Sequence, residues 1–302
     1  MNPVELLNRQ HALDGQLRFK QLAEGYIVAE VEAVGSGATI ALQGAQVLSW
    51  VPAREKPVIW LSPRASFAPG KSVRGGAPIC WPWFGAHPDQ ADFPAHGYAR
   101  TSPWELEFTE ALENGEVRLV LSLIESEHSD RLWPYITPLQ CHITVGRTLT
   151  MELITRNEGA EAITLTEALH TYFLVGDVRK VSVVGLDQTD YLDKVREFER
   201  FTQSGPIAID AEVDRVYLDT NREVVIKDPS LGRNIHIRKR GSGSTIVWNP
   251  WIEKSAQMGD LGEDGYLHML CVESGNAFDN AIALEPGSEH RLVAEYSLSP
   301  LA

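Results

Sequence analysis

Two residues far apart in the chain have the side chains that acid–base chemistry needs, each in an apolar setting. His170 lies in the run Ile163 to Phe173. There, period-two spacing puts Thr164, Thr166, Ala168, His170 and Tyr172 on one face and Ile163, Leu165, Leu169 and Phe173 on the other. An imidazole on the more polar face can give or take a proton, its unperturbed pKa being about 6.5. The plainer reading is a hydrogen-bonded structural histidine. Glu273 closes the run His268-Met269-Leu270-Cys271-Val272, after which Ser274-Gly275-Asn276 is expected to turn the chain. A carboxylate at the end of an apolar strand is costly to leave unpaired, and partial desolvation raises its pKa and makes it a stronger base. A strand-end glutamate reaching solvent is the alternative.

The stretch from Lys71 to Trp104 mixes arginine, histidine, glycine and tryptophan in a way that suits a binding site better than a core. Gly75-Gly76 lets backbone approach a ligand closely. Trp81, Trp83 and Phe84 offer flat apolar faces suited to a sugar ring, and Arg74 and Arg100 offer forked donors suited to an anionic oxygen cluster. The competing reading puts the tryptophans in the core and pairs the arginines with Asp89, Asp92 or Glu105 on the surface. The segment Val247 to Ser255, leading into Met258-Gly259-Asp260, is expected to be a proline-interrupted loop at the border of a pocket. Asp214 follows a run of acidic residues and is either solvated or a holder of sugar hydroxyls.

These side chains need a scaffold, and 302 residues suffice for one large all-β domain spanning 1–302. Short alternating runs bounded by glycine, proline or asparagine recur at Tyr26 to Ala33, Val117 to Ile124, His142 to Val145, Thr148 to Thr155 and Ile163 to Phe173. Gly146-Arg147 is expected to join two of them as a hairpin, and Asp228 to Gly232 separates another pair. Only Asn2 to Arg18 and Ser126 to Leu132 read as short helices. The fold class expected is a large antiparallel β-sandwich.

A balance of 27 basic against 41 acidic residues, net −14, repels nucleic acid and anionic membrane surfaces. The N-terminus lacks an apolar signal core and no later run is long enough to span a bilayer, so a cytoplasmic location is expected. Cys80, Cys141 and Cys271 are widely spaced and read as buried thiols. The histidines stand singly and no HxH, HxxxH or CxxC spacing occurs, so neither a metal nor a cofactor is expected. The expected partner is a small-molecule sugar phosphate, bound by a monomer.

Taken together, these segments resemble the aldose 1-epimerase family, and within it the branch acting on hexose 6-phosphates. The match covers most of the chain: LQGAQVLSW at Leu42 to Trp50, VRGGAPICWPWFG at Val73 to Gly85, PAHGYAR at Pro94 to Arg100, ALHTYF at Ala168 to Phe173, DRVY at Asp214 to Tyr217 and WNPWIEKS at Trp248 to Ser255. Ala95 stands where some relatives carry glutamine. The resemblance implies a galactose-mutarotase-like sandwich with its site in a cleft across one sheet. It makes His170 and Glu273 the catalytic acid and base, Arg74 and Arg100 the phosphate-binding residues, and His96 and Asp214 sugar contacts. Anomers would interconvert by ring opening and closure, Glu273 taking the C1 hydroxyl proton while a protonated His170 gives one to the ring oxygen. Aldose 1-epimerases of unphosphorylated sugars and non-catalytic sugar-binding sandwiches are the alternatives. A glycoside hydrolase would need two facing carboxylates instead.

Overall fold

The computed structural model describes residues 2–301. Its named strands pair antiparallel throughout, in sheets of nine, eight, four and two strands. The alternation read from the sequence is the cause. In Leu139–Val145 every second residue is buried, and this strand hairpins onto Leu149–Arg156 through the turn containing Gly146 and Arg147.

One continuous apolar core joins the four sheets, Ile163, Leu165 and Leu284 of the two-stranded one included. Leu119, Ile143, Met151 and Leu292 of the nine-stranded sheet meet Val247, Leu270 and Val272 of the eight-stranded sheet and Ile40 and Trp50 of the four-stranded one. Phe173 packs edge-on against Tyr296 at 5.2 Å, and the Thr171 and Tyr296 hydroxyls share a 2.7 Å hydrogen bond. The antiparallel β-sandwich is the fold observed.

The eight-stranded sheet holds the chemistry. It runs, in order, Glu199–Thr202, Asp190–Asp193, Val213–Tyr217, Ser244–Asn249, Met269–Asn276, Glu167–Leu169 and Ile79–Cys80, with Tyr172–Leu174 also pairing on Met269–Asn276. Leu270 and Val272 point into the core, so the pleat turns Met269, Cys271 and Glu273 to the other face.

Four local expectations are corrected. The first helix covers only Pro3–His11, where Asn2 and Glu5 form a capping box, and Leu17–Ala23 is a strand. The run Ile163 to Phe173 is three short strands with different partners. The strand carrying Glu273 does not turn after it but continues to Asn276, paired on both sides. Trp248 and Asn249 end a strand, and Trp251–Gln257 is a helix started by Pro250 rather than a loop, because a proline at a helix start costs no hydrogen bond.

Candidate active site

Strand register assembles the site. Asp214 pairs with Trp248, Trp248 with Cys271 and Cys271 with Tyr172, which makes one row across the outer face; Val216, Ile246 and Glu273 make the next. Neighbouring strands lie about 4.8 Å apart, so these side chains share one floor. His170 stands two residues before Tyr172, in the break between short strands, where its N–H donates to the Pro78 carbonyl at 2.9 Å. Its ring lies parallel to Tyr172, centroids 5.0 Å apart, with Trp248 edge-on at 5.9 Å.

The wall comes from the glycine- and arginine-rich stretch. Gly75 and Gly76 have φ of +103° and +74°, and a Cβ on either would sit 2.7 Å or 2.6 Å from backbone of Leu61, Trp60 or Val47. Only glycine fits there. Gly76 donates to the Trp60 carbonyl and accepts from the Tyr172 N–H, which fixes Arg74 beside the sheet. Arg74 donates Nε to Asp260 Oδ1 and Nη1 to the Tyr172 hydroxyl, both at 3.0 Å. Arg100 donates to the Ala95 carbonyl at 2.7 Å and has no ion-pair carboxylate among the described residues.

A cleft of about 250 Å³ is lined by all six residues singled out in the sequence: Arg74, His96, Arg100, His170, Asp214 and Glu273. None is left elsewhere. Trp81 and Trp83 are core residues that do not line the cleft, and of the three aromatics expected to face a sugar only Phe84 does. Neither arginine pairs with Asp89, Asp92 or Glu105, and Asp214 is buried rather than solvated. Its neighbours include two cations that sequence reasoning missed. Lys194 lies 3.2 Å from Asp214, and Lys254 lies 4.0 Å from it while bonding Glu212. In the charged run Asp190 to Arg200, Lys194 carried no signal that separated it from a solvated hairpin.

His170 Nε2 and Glu273 Oε1 are 3.4 Å apart. Both side chains are buried, at 9% and 1% exposure, and His170 Nδ1 and Glu273 Oε2 lack any partner. Burial pushes the imidazole well below its ordinary value, and His96, Arg100 and Arg74 add to the effect. Burial pushes the carboxyl well above its own, with Asp214 adding. Both directions favour the uncharged form, a neutral imidazole beside a neutral carboxyl. His96 is neutral too, pushed down to about 3 by burial and then by Arg100, Lys194 and Arg74. Its Nδ1 accepts from the Gly85 N–H, which leaves Nε2 as the protonated nitrogen. Burial raises Asp214, and Lys194 and Lys254 hold it back.

Residues 29–297 match the family model described as aldose 1-epimerase. The chain belongs to the aldose 1-epimerase family. Curated relatives in this family include proteins of Escherichia coli K12, 41% identical over 80% of each chain, and of Cenchrus ciliaris, 35% identical over 84% of this chain and 79% of the other. Both are named "Putative glucose-6-phosphate 1-epimerase". A solved structure from Salmonella typhimurium, described as a "putative mutarotase (YeaD)", superposes with a TM-score of 0.89 at 34% identity over 96% of both chains. A galactose mutarotase-like protein from Clostridium acetobutylicum shares the fold at TM-score 0.72, at 13% identity over 94% of this chain and 99% of the other.

Proposed function

We propose that this aldose 1-epimerase interconverts the α and β anomers of hexose 6-phosphates, chiefly glucose 6-phosphate, with His170 and Glu273 as its acid–base pair. The observation that carries the reading is that a buried imidazole–carboxyl pair and the cations Arg74, Arg100, Lys194 and Lys254 line one cleft of sugar-ring dimensions. The names of the Escherichia coli and Cenchrus relatives support the same substrate.

Opening a pyranose requires one proton to leave the C1 hydroxyl and one to reach the ring oxygen. After rotation about C1–C2, closure reverses both transfers. A pair holding one transferable proton suffices, the protonated member serving as acid and the other as base. Burial favours that proton on Glu273 over His170. Arg74 and Arg100 are among the causes that keep His170 neutral, so a phosphate dianion bound by them removes part of that repulsion and favours moving the proton to the imidazole. Phosphate recognition thereby prepares the His170 acid and Glu273 base required for ring opening.

His96 and Asp214 contact sugar hydroxyls in this reading, Lys194 holding the Asp214 carboxylate in place. The reading needs no residue from a second copy, since the six site residues line one cleft of a single chain. Sugar phosphates are dianions that do not cross a bilayer unaided, so we place the enzyme in the cytoplasm with its substrate. No helix among the described residues is long and apolar enough to cross a membrane.

The test is anomerisation of freshly dissolved α-glucose 6-phosphate, followed by polarimetry. Wild type should accelerate it well beyond the spontaneous rate. His170→Ala and Glu273→Gln should each lose about 10²- to 10⁴-fold in kcat while still binding sugar phosphate. Near-normal turnover in either variant removes that residue from the mechanism, and a wild-type rate equal to the spontaneous one makes the protein a binder.

A further inference from the structure

Sequence spacing offers no metal motif, yet folding brings three different donor types together beneath the cleft. One ligand atom each from His170, Cys271 and Glu273 lies within 4.8 Å of the others, all three residues buried. His170 comes from the break after Glu167–Leu169, while Cys271 and Glu273 are successive outward residues of Met269–Asn276. We propose that this cluster is an inhibitory site for a thiophilic divalent cation such as zinc, which locks the acid–base pair and excludes the sugar.

A tetrahedral zinc holds nitrogen and oxygen at about 2.0–2.2 Å and sulfur at about 2.3 Å, so its ligand atoms stand roughly 3.3–3.6 Å from one another. The 3.4 Å between His170 Nε2 and Glu273 Oε1 already matches one such edge. The sulfur lies within 4.8 Å of the other two ligand atoms, and side-chain rotation closes what remains. A second observation points the same way: Glu273 Oε2 and His170 Nδ1 are buried without partners, so the pair is under-satisfied as it stands. An imidazole, a thiolate and a carboxylate form a zinc-type donor set, with the open cleft supplying the fourth position. Cys271 sits in the floor between Trp248 and Tyr172, so a cation descending the cleft meets His170 and Glu273 first and the sulfur last. The thiol and carboxyl protons leave to solvent as the metal binds.

The inhibition rests on the acid–base role given to this pair, whereas the binding itself does not. Cobalt(II) titrated into the wild-type protein should give a thiolate-to-cobalt charge-transfer band that saturates at one ion per chain. Zinc and glucose 6-phosphate should each bleach it. Zinc should inhibit anomerisation competitively with sugar phosphate, reversibly on chelation. Cys271→Ala should lose the band and raise the half-inhibiting zinc concentration, read against the variant's own metal-free rate, by at least about 10- to 100-fold, while Cys80→Ala should behave as wild type. A missing cobalt band in the wild type overturns the proposal whatever the turnover. So does a band indifferent to glucose 6-phosphate, or a Cys271→Ala protein as zinc-sensitive as its parent. If Cys271→Ala fails to fold, the wild-type band and its displacement decide alone.

Discussion

Glu273 and His170 are two weak acids whose proton affinities burial drives toward each other. Glu273 is raised and His170 lowered, which favours the neutral carboxyl beside the neutral imidazole. Difference infrared spectra at neutral pH should therefore show the carbonyl stretch of a protonated carboxyl that Glu273→Gln removes, and saturation with glucose 6-phosphate should diminish it. Glu273→Gln should also melt no lower than wild type, since it replaces a buried group that lacks a partner on Oε2 by a neutral one of similar size. A drop of several degrees would mean that the carboxylate is ionised and paired. Arg74→Ala and Arg100→Ala each remove charge-assisted hydrogen bonds of about 1.5–3 kcal/mol, so KM for glucose 6-phosphate should rise roughly 10- to 100-fold. KM for glucose should change little, and equal losses on both sugars would count against phosphate contact. At this scale the sequence was informative where a residue type was out of place: a histidine among apolar strand residues, a carboxylate on an apolar strand, arginines among tryptophans. Lys194 was invisible because a lysine among charges is ordinary until the chain folds Asp214 against it.

Strands and turns convert those types into a site, and here the sequence was less complete. Alternation gave the faces of His142 to Val145 and Thr148 to Thr155 within the observed Leu139–Val145 and Leu149–Arg156 hairpin, but it could not show that Ile163 to Phe173 breaks at Thr166 and again at His170. The second break frees the His170 backbone to reach Pro78 and turns the ring over the floor. The register that lines up Asp214, Trp248, Cys271 and Tyr172 depends on pairing between strands distant in sequence, which local pattern does not encode. The Gly75-Gly76 pair was legible, because glycine beside arginine signals close backbone approach. Gly76→Ala puts a Cβ 2.6 Å from the Val47 carbonyl at a positive φ. That should cost about 1–3 kcal/mol of stability and, by displacing Arg74, raise KM for the phosphorylated sugar, both readable from one melting curve and one kinetic series. An unchanged KM would mean that Arg74 does not depend on this turn.

Across the whole molecule, one core shared by the four sheets is expected to unfold as a unit, so residues 1–302 should give a single transition by tryptophan fluorescence and by circular dichroism. The nine-stranded sheet also buries Lys239 against Thr220, Ser242 and the Ser244 carbonyl, with burial pushing it down to about 7. Its unfolded-state value is near 10.5, so the unfolded chain binds more protons between these two pH values. Stability should rise with pH across that window, and Lys239→Met should flatten the rise. Alternation had indicated the all-β class and composition an acidic chain, while the cation-lined cleft needed the fold to become visible. The most direct test is exchange NMR on equilibrated anomers of glucose 6-phosphate and of glucose, with catalytic amounts of wild-type, His170→Ala and Glu273→Gln protein. Enzyme-dependent α–β exchange cross-peaks should appear for the phosphorylated sugar with wild type, be far weaker for glucose, and vanish in both variants. Exchange that persists in the variants, or is as fast for glucose, would contradict the joint action of the acid–base pair and the arginines.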